Sequence, residues 1–344
     1  MNVNKKTKIL WLKPTKGNVS IGRYLIAKNL EKSGFKVEIL ECSGLSIFKA
    51  LLHALKSDFD VIVGTTHLGL AIGGIIKLLK KKPFLADFVD QFSLLREVTP
   101  AYLYPLMYVT ILLEKLSLKI ADAVVVVPKQ DYEKISKKRR DVYKVNLCID
   151  LEKFLNVGEK TVKKAKEILK KAGVNLNKPL IVYVGGFSKI YNLNLLIQAM
   201  ERLQDFQLIM IGGGELESEL KKLTKEKKLN NVFFLGYQPN ELIPGFLKLS
   251  SVGVTLAEIP RQLKIYEYLA SGLSVVVPEA IVRNEDFEFG EYCIGIKLGI
   301  ESVILGIRKA SKNNPNCKSK LEKYDCKVVA EIYLKVIKIV VKRE

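Results

Sequence analysis

Arg261-Gln-Leu-Lys264-Ile-Tyr-Glu267-Tyr-Leu-Ala-Ser-Gly272, running at once into Ser274-Val-Val-Val277-Pro278, is the stretch from which the rest of the chain is read. Pro260 suits the N-terminal edge of a helix, Leu263, Tyr266, Leu269 and Ala270 share one face at the 3.6-residue period, and Gly272 supplies a stop. A buried strand follows. In a doubly wound sheet, ligands sit beyond the carboxyl ends of the strands, where helix N-termini offer unpaired N–H groups and partial positive charge to phosphates. Arg261 and Lys264 fall in that first turn, where the helix dipole disfavours cations, and a bound anion is their natural compensation. Glu267, one turn on from Lys264, offers two acceptor oxygens to a vicinal diol such as that of a ribose. At spacing Lys-x-x-Glu these residues describe a nucleotide site; exposed charges pairing i to i+3 are the rival explanation.

Six apolar runs precede this stretch. Lys8-Ile-Leu-Trp-Leu12, Phe35 to Leu40, Asp60 to Val63, Pro83 to Asp87, Ala121 to Val127 and Val142 to Leu147 read as strands, with helical patterns between most of them. Strands and helices alternating at this spacing make βαβ units and a mainly parallel sheet. A second sheet opens with Pro179-Leu-Ile-Val-Tyr-Val184-Gly-Gly186, a strand running into paired glycines and then a helix. That is the geometry for close approach of backbone to a diphosphate. A chain of 344 residues is long for one core, and two domains are expected, 1–155 and 179–320, joined by a charged linker over 156–178. A final amphipathic helix occupies 321–344.

Composition narrows the class. Hydrophobic residues at 48% and charged residues at 27% describe a globular protein, and no uncharged apolar run reaches the ~18 residues a spanning helix needs. The longest uncharged stretch, Val98 to Leu113, contains Pro100 and Pro105 and reads as a buried or interfacial helix. Its tyrosines, Tyr102, Tyr104 and Tyr108, and its flanking lysines also fit a membrane-surface or lipid-acceptor patch. Met1-Asn-Val-Asn-Lys-Lys has no apolar core, so no signal peptide is expected, and five scattered cysteines read as reduced thiols of a cytoplasmic protein. The net charge of +20 attracts nucleic acid, anionic lipid or phosphorylated substrates. Lys134 to Arg140 packs five cations into seven residues but lacks interleaved aromatics, so it reads as a solvated helix end and nucleic acid is not the expected partner.

The Lys-x-x-Glu-Tyr-x-Ala-x-Gly-x-x-Val-Val segment resembles the C-terminal signature of family 4 glycosyltransferases of the GT-B fold (group 1 type). Leu112 to Val125 is similar to that family's segment before the hinge, and Val145-Asn-Leu-Cys-Ile-Asp150 to Phe154 to its exit from the first domain, with Cys148 in place of glycine. The resemblance implies two Rossmann-like domains facing a central cleft. An acceptor-binding first domain is braced by the last helix, and a nucleotide-sugar-binding second domain completes the pair. It implies sugar transfer with retention of configuration, no metal and no cofactor beyond the nucleotide sugar as co-substrate. The acceptor is a glycan, lipid-linked group or small molecule. A cytoplasmic location is expected, with the basic surface and the tyrosine-rich segment leaving peripheral contact with the inner face of the membrane open.

Site residues follow from the same resemblance and from placement at strand ends and helix starts. Gly17 and Asn18 lie in the loop after the first strand; Gly185, Gly186, Lys189, Gly213, Tyr237, Glu258, Arg261, Lys264 and Glu267 are placed on the donor; Asp90 and His67 are candidates for orienting the acceptor. The chain departs from the family where Gly186 and Tyr191 stand in place of an arginine and a lysine that grip the diphosphate. It also has Ile259, not glutamate, eight before Glu267, leaving Glu258 one position out of register. Asp58-Phe-Asp60 is not read as a metal motif, because it precedes its strand and so lies at the amino end. His53 falls within an apolar helical pattern and reads as structural. Three rivals stay open: a non-catalytic nucleotide-sugar-binding subunit, a nucleotide-sugar epimerase, and a basic nucleic-acid-binding protein.

Overall fold

The computed structural model describes residues 7–14, 18–43, 46–89, 96, 99–259, 261–313 and 315–342. They form two units, Met1–Ile149 with Lys323–Glu344, and Asp150–Glu322.

The first unit is a six-stranded sheet in the order β2-β1-β3-β4-β5-β6, from β1 (Lys8–Lys13), β2 (Lys36–Glu41), β3 (Val61–Thr65), β4 (Phe84–Phe88), β5 (Ala123–Val126) and β6 (Val142–Lys144). Every pairing is parallel. β3, β4 and β5 are buried along their whole length, which is why they read as unbroken apolar runs. The helices Asn18–Lys32, Ser46–Lys56, Thr66–Lys80, Tyr104–Ile120 and Lys129–Ser136 lie between successive strands. The helix Cys326–Val341, capped by Asp325 accepting from the Lys327 amide at 2.8 Å, packs on Asn18–Lys32.

Three features fix that last helix to the first unit. Asp87, on β4 and fully buried, accepts both arms of Arg23 at 2.7 Å, the Tyr333 hydroxyl at 2.6 Å and Thr65 Oγ1 at 2.8 Å. Trp11 donates to Thr65 Oγ1 and stacks on Tyr333 with ring centroids 5.6 Å apart. Cys148 is joined to Cys326 by a disulfide. Five reduced thiols are therefore not what the structure holds; Cys42, Cys293 and Cys317 alone are unpaired, all buried. Two side-chain readings also change. His53 is on the outer face of its helix and meets Glu38 at 2.5 Å, and Arg139 donates to the carbonyls of Leu118 and Ala121 at 2.6 and 2.7 Å instead of facing solvent.

The second unit has the order β12-β11-β10-β7-β8-β9, again parallel throughout. Its strands are β7 (Leu180–Gly186), β8 (Gln207–Gly213), β9 (Val232–Gly236), β10 (Val252–Val254), β11 (Ser274–Pro278) and β12 (Cys293–Ile296). Counted from its own first strand, this is the 3-2-1-4-5-6 order of a dinucleotide-binding sheet, whose direction of winding reverses between β7 and β10. The first unit reverses between β1 and β3. Residues 156–178 include the helix Glu159–Lys171, which belongs to the second unit.

Candidate functional site

In the second unit the reversal point is built from glycine. β7, which flanks it, ends at Gly185-Gly186, and the neighbouring β8 ends at Gly212-Gly213 with Gly214 just beyond; Gly185, Gly212 and Gly214 have φ +149°, +130° and +156°. A Cβ on Gly212 would collide with the Gly185 carbonyl, and one on Gly214 would come within 2.7 Å of the Phe187 carbonyl. Only glycine lets these strand ends lie so close together, and glycine backbone of this kind lets an anion approach closely.

The helix after β10 supplies the charge. It runs Leu263–Ala270, with all but Glu267 buried, and Gly272 at φ +83° ends it. It starts later than Arg261, which precedes it at φ +59° with its guanidinium 3.4 Å from Asp286, so placing Arg261 in the first turn is corrected. Gln262 is the reason. It accepts from Thr255 Oγ1 at 2.7 Å and donates to the carbonyls of Ala257 and Ile259 at 3.0 and 2.9 Å, tying up the approach to the helix. Pro260 lies outside the described residues.

Lys264 does sit in the first turn, 8% exposed. Its ammonium lies 4.4 Å from the ring centroid of Tyr183 and 4.2 Å from that of Tyr191, and donates to the Tyr183 hydroxyl at 3.3 Å. That hydroxyl donates in turn to the Gly186 carbonyl at 2.6 Å. A Cβ on Gly185 would come within 2.5 Å of Lys264 Nζ, so the cation rests directly on the glycine pair. Burial brings the ammonium down to about 7 against the pull of Glu267. Burial raises both tyrosine phenols, and they stay neutral. Tyr191, at the position where the family resembled carries a lysine, is here one wall of a cage around another lysine.

Glu267, half-buried, is raised by burial against the opposing fields of Lys153 and Lys264. Lys153, from the short helix Leu151–Leu155, is lowered by burial against the pull of Glu267, Asp150 and Glu241. In each group of this cluster lost hydration moves the pKa towards the uncharged form while the neighbouring opposite charges pull it back, a balance that an arriving anion or hydroxyl changes. Gly213 lies against the Tyr237 ring, which is 80% exposed, and Lys189 and Glu258 are exposed. The structure thus brings together Gly185, Gly186 and Lys264 directly, and Gly213 with Tyr237. Lys153, Tyr183, Tyr191 and Asp286 were missed by the sequence reading.

In the first unit, His67 follows β3 in a strained turn, at φ +30° after Thr66 at φ +36°. Its Nδ1 meets Glu114 Oε2 at 3.0 Å, and Glu114 is fully buried with its other oxygen unmatched. A carboxylate behind an imidazole fixes the ring's orientation. Asn18 opens the first helix; Gly17 and Asp90 lie outside the described residues. Asp58 and Asp60 hold Lys8 at the amino end of the sheet. Among the described residues no three His, Cys, Asp or Glu side chains are grouped to hold a metal.

Residues 164–319 match the family described as glycosyl transferases group 1. A putative colanic acid biosynthesis glycosyl transferase of Escherichia coli K12 is 26% identical over 145 residues, 39% of this chain and 36% of that relative's length. Among solved structures, sucrose-phosphate synthase from Thermosynechococcus elongatus superposes with a TM-score of 0.77 at 14% identity, covering 98% of this chain and 100% of that one. Anabaena HepE in complex with UDP and glucose does so at 0.69 and 16%, covering 96% and 99%. Both share the GT-B fold.

Proposed function

We propose, for a chain whose residues 164–319 form a domain of the group 1 glycosyl transferases, that the protein moves a sugar from a nucleotide diphosphate sugar to a hydroxyl acceptor. The observation that carries the reading is the Lys264 ammonium, caged by Tyr183 and Tyr191 and resting on Gly185 at the point where the sheet reverses. It is a cation beside a backbone surface suited to a diphosphate, with a carboxylate one turn away for the ribose. HepE, solved with UDP and glucose, makes uridine the base to try first.

In this reading the bond between the sugar's anomeric carbon and the diphosphate oxygen breaks while the acceptor oxygen bonds to the same carbon. Charge gathers on the departing diphosphate, where Lys264, Lys189 and the amides past Gly185 stabilise it. The acceptor proton passes to a departing phosphate oxygen. His67, steadied by Glu114, and Asp90 orient the acceptor, a glycan or lipid-linked hydroxyl. Configuration is retained and no metal is required. The protein works at the inner face of the membrane, held there by contact with its surface.

The test is thermal shift and calorimetry against a panel of nucleotide sugars, with release of nucleoside diphosphate measured on candidate acceptors. Lys264→Met and Glu267→Gln should bind the chosen donor at least about tenfold more weakly. If both folded variants bind and consume every donor as the parent does, the reading fails. Binding without turnover on any acceptor would point to a non-catalytic subunit.

A further inference from the structure

The helix Tyr104–Ile120 is inside out for a helix in water. Its buried positions are Met107, Thr110, Glu114 and Ser117, three of them polar. Each polar group has an explanation inward. Thr110 Oγ1 donates to the Leu106 carbonyl at 2.9 Å, Glu114 meets His67, and Ser117 packs so closely on the helix Thr66–Lys80 that only glycine fits at Gly74. The outward face, with the turn Ala101–Leu103 before it, is apolar. Tyr102, Leu106, Tyr108, Val109, Leu112 and Leu116 are 80, 62, 57, 52, 58 and 46% exposed. Exposed leucines scattered singly are ordinary, but a continuous stripe at helical spacing, along roughly 25 Å of helix, is not.

Folding does not account for this stripe, since its side chains bury little; a non-aqueous neighbour does. The charge says which. Residues 1–150 hold 25 basic against 14 acidic residues, and the chain as a whole carries +20. Lys115 and Lys119 are exposed at the C-terminal end of the same face. A second copy seated on the stripe would bring two such excesses together, whereas an anionic lipid surface attracts them. Leucine and valine inward, tyrosines at headgroup depth and lysines reaching back to phosphate is the arrangement of a helix lying in the plane of a bilayer. No described helix is long and apolar enough to cross one.

We infer that the outward face of Tyr104–Ile120, from Tyr102 to Lys119, is the surface by which this protein docks on an anionic membrane. The inference gives the membrane contact proposed above a place; it rests on that contact and not on sugar transfer.

The test is co-flotation of the full chain with phosphatidylglycerol-containing and with pure phosphatidylcholine vesicles, beside a triple variant Leu106→Ser, Val109→Ser, Leu112→Ser. The parent should float with the anionic vesicles only and be released by salt, and the variant should lose at least about tenfold in lipid affinity. Circular dichroism and nucleotide-sugar binding, measured on the same samples, should be unchanged. These serve as the separate check on folding and on the sugar-transfer reading. The inference is overturned if the parent stays with the soluble fraction, if it floats equally with neutral vesicles, or if the folded triple variant floats as the parent does. It is also overturned if light scattering shows a parent dimer that the triple variant dissolves without any lipid binding, because the stripe then covers a second copy.

Discussion

Raising the pH during a UDP titration puts Lys264 to the test. Lost hydration has brought its ammonium down to about 7, so above neutrality the empty site holds a neutral amine. A diphosphate arriving at Gly185 favours the charged form, and binding must then draw a proton from solution. Affinity should fall by up to about tenfold per pH unit above 7, hence about a hundredfold, or about 2.7 kcal/mol, by roughly pH 9. Calorimetry in two buffers of unlike ionisation heat reads the uptake, approaching one proton per UDP. Lys264→Met supplies the baseline, a weaker complex with a level pH profile. The same residue makes a stability claim of definite sign. The unfolded chain keeps this proton up to 10.5 and the folded one releases it near 7, so the folding penalty is whole below 7 and fades as pH climbs towards 10.5. Lys264→Met should therefore melt above the parent at pH 7. The gain has a ceiling of about 5 kcal/mol less about 1 kcal/mol for each lost cation–π contact, and the two proteins should converge near about pH 10. A parent that binds UDP equally well across this range without taking up a proton would refute the placement of that ammonium beside the phosphates.

Other perturbations address the scaffold. Asp87→Ala leaves Arg23 buried without its carboxylate and should cost about 3–5 kcal/mol in urea unfolding of the first unit, with donor binding by the second unit spared. Cys326→Ser opens a crosslink between residues 178 apart, and by loop entropy should lower stability by up to about 5 kcal/mol; reductant should reproduce the loss in the parent and leave the variant unmoved. Gly212→Ala forces a side chain towards the Gly185 carbonyl at φ +130°, so it should destabilise by at least about 1–3 kcal/mol and weaken UDP binding, whereas Gly173→Ala, remote from the glycine pair, should leave binding alone.

Sequence reading succeeded where a single segment carries its own cause. Strands buried on both faces show as unbroken apolar runs, and the stop at Gly272 needs only a backbone that other residues resist. It went astray where the cause lies elsewhere in the chain. The late start of the Leu263 helix depends on what Gln262 finds at Thr255, Ala257 and Ile259, and no periodicity records that. The cage around Lys264 joins Tyr183 and Tyr191 to a residue in a different βαβ unit, so nothing local shows that the tyrosine standing at 191 packs against the very lysine that supplies the charge. Pairing of Cys148 with Cys326 is equally invisible to spacing rules. Glu114 was within reach: one carboxylate at the edge of a long uncharged run is a signal that something buried requires it.

The first unit is written in two instalments, Met1–Ile149 and Lys323–Glu344, and this sets a timetable. On the ribosome Arg23 and Asp87 emerge early, but Tyr333, which completes their hydrogen bonding, comes only after all of Asp150–Glu322. At ordinary translation speeds that interval is roughly 10–35 s, ample for the intervening unit to fold alone. The opening half must spend it unfinished, with Trp11 lacking its stacking partner and Cys148 still a thiol. A nascent chain halted just before Asp325 should be the species that chaperones hold most firmly.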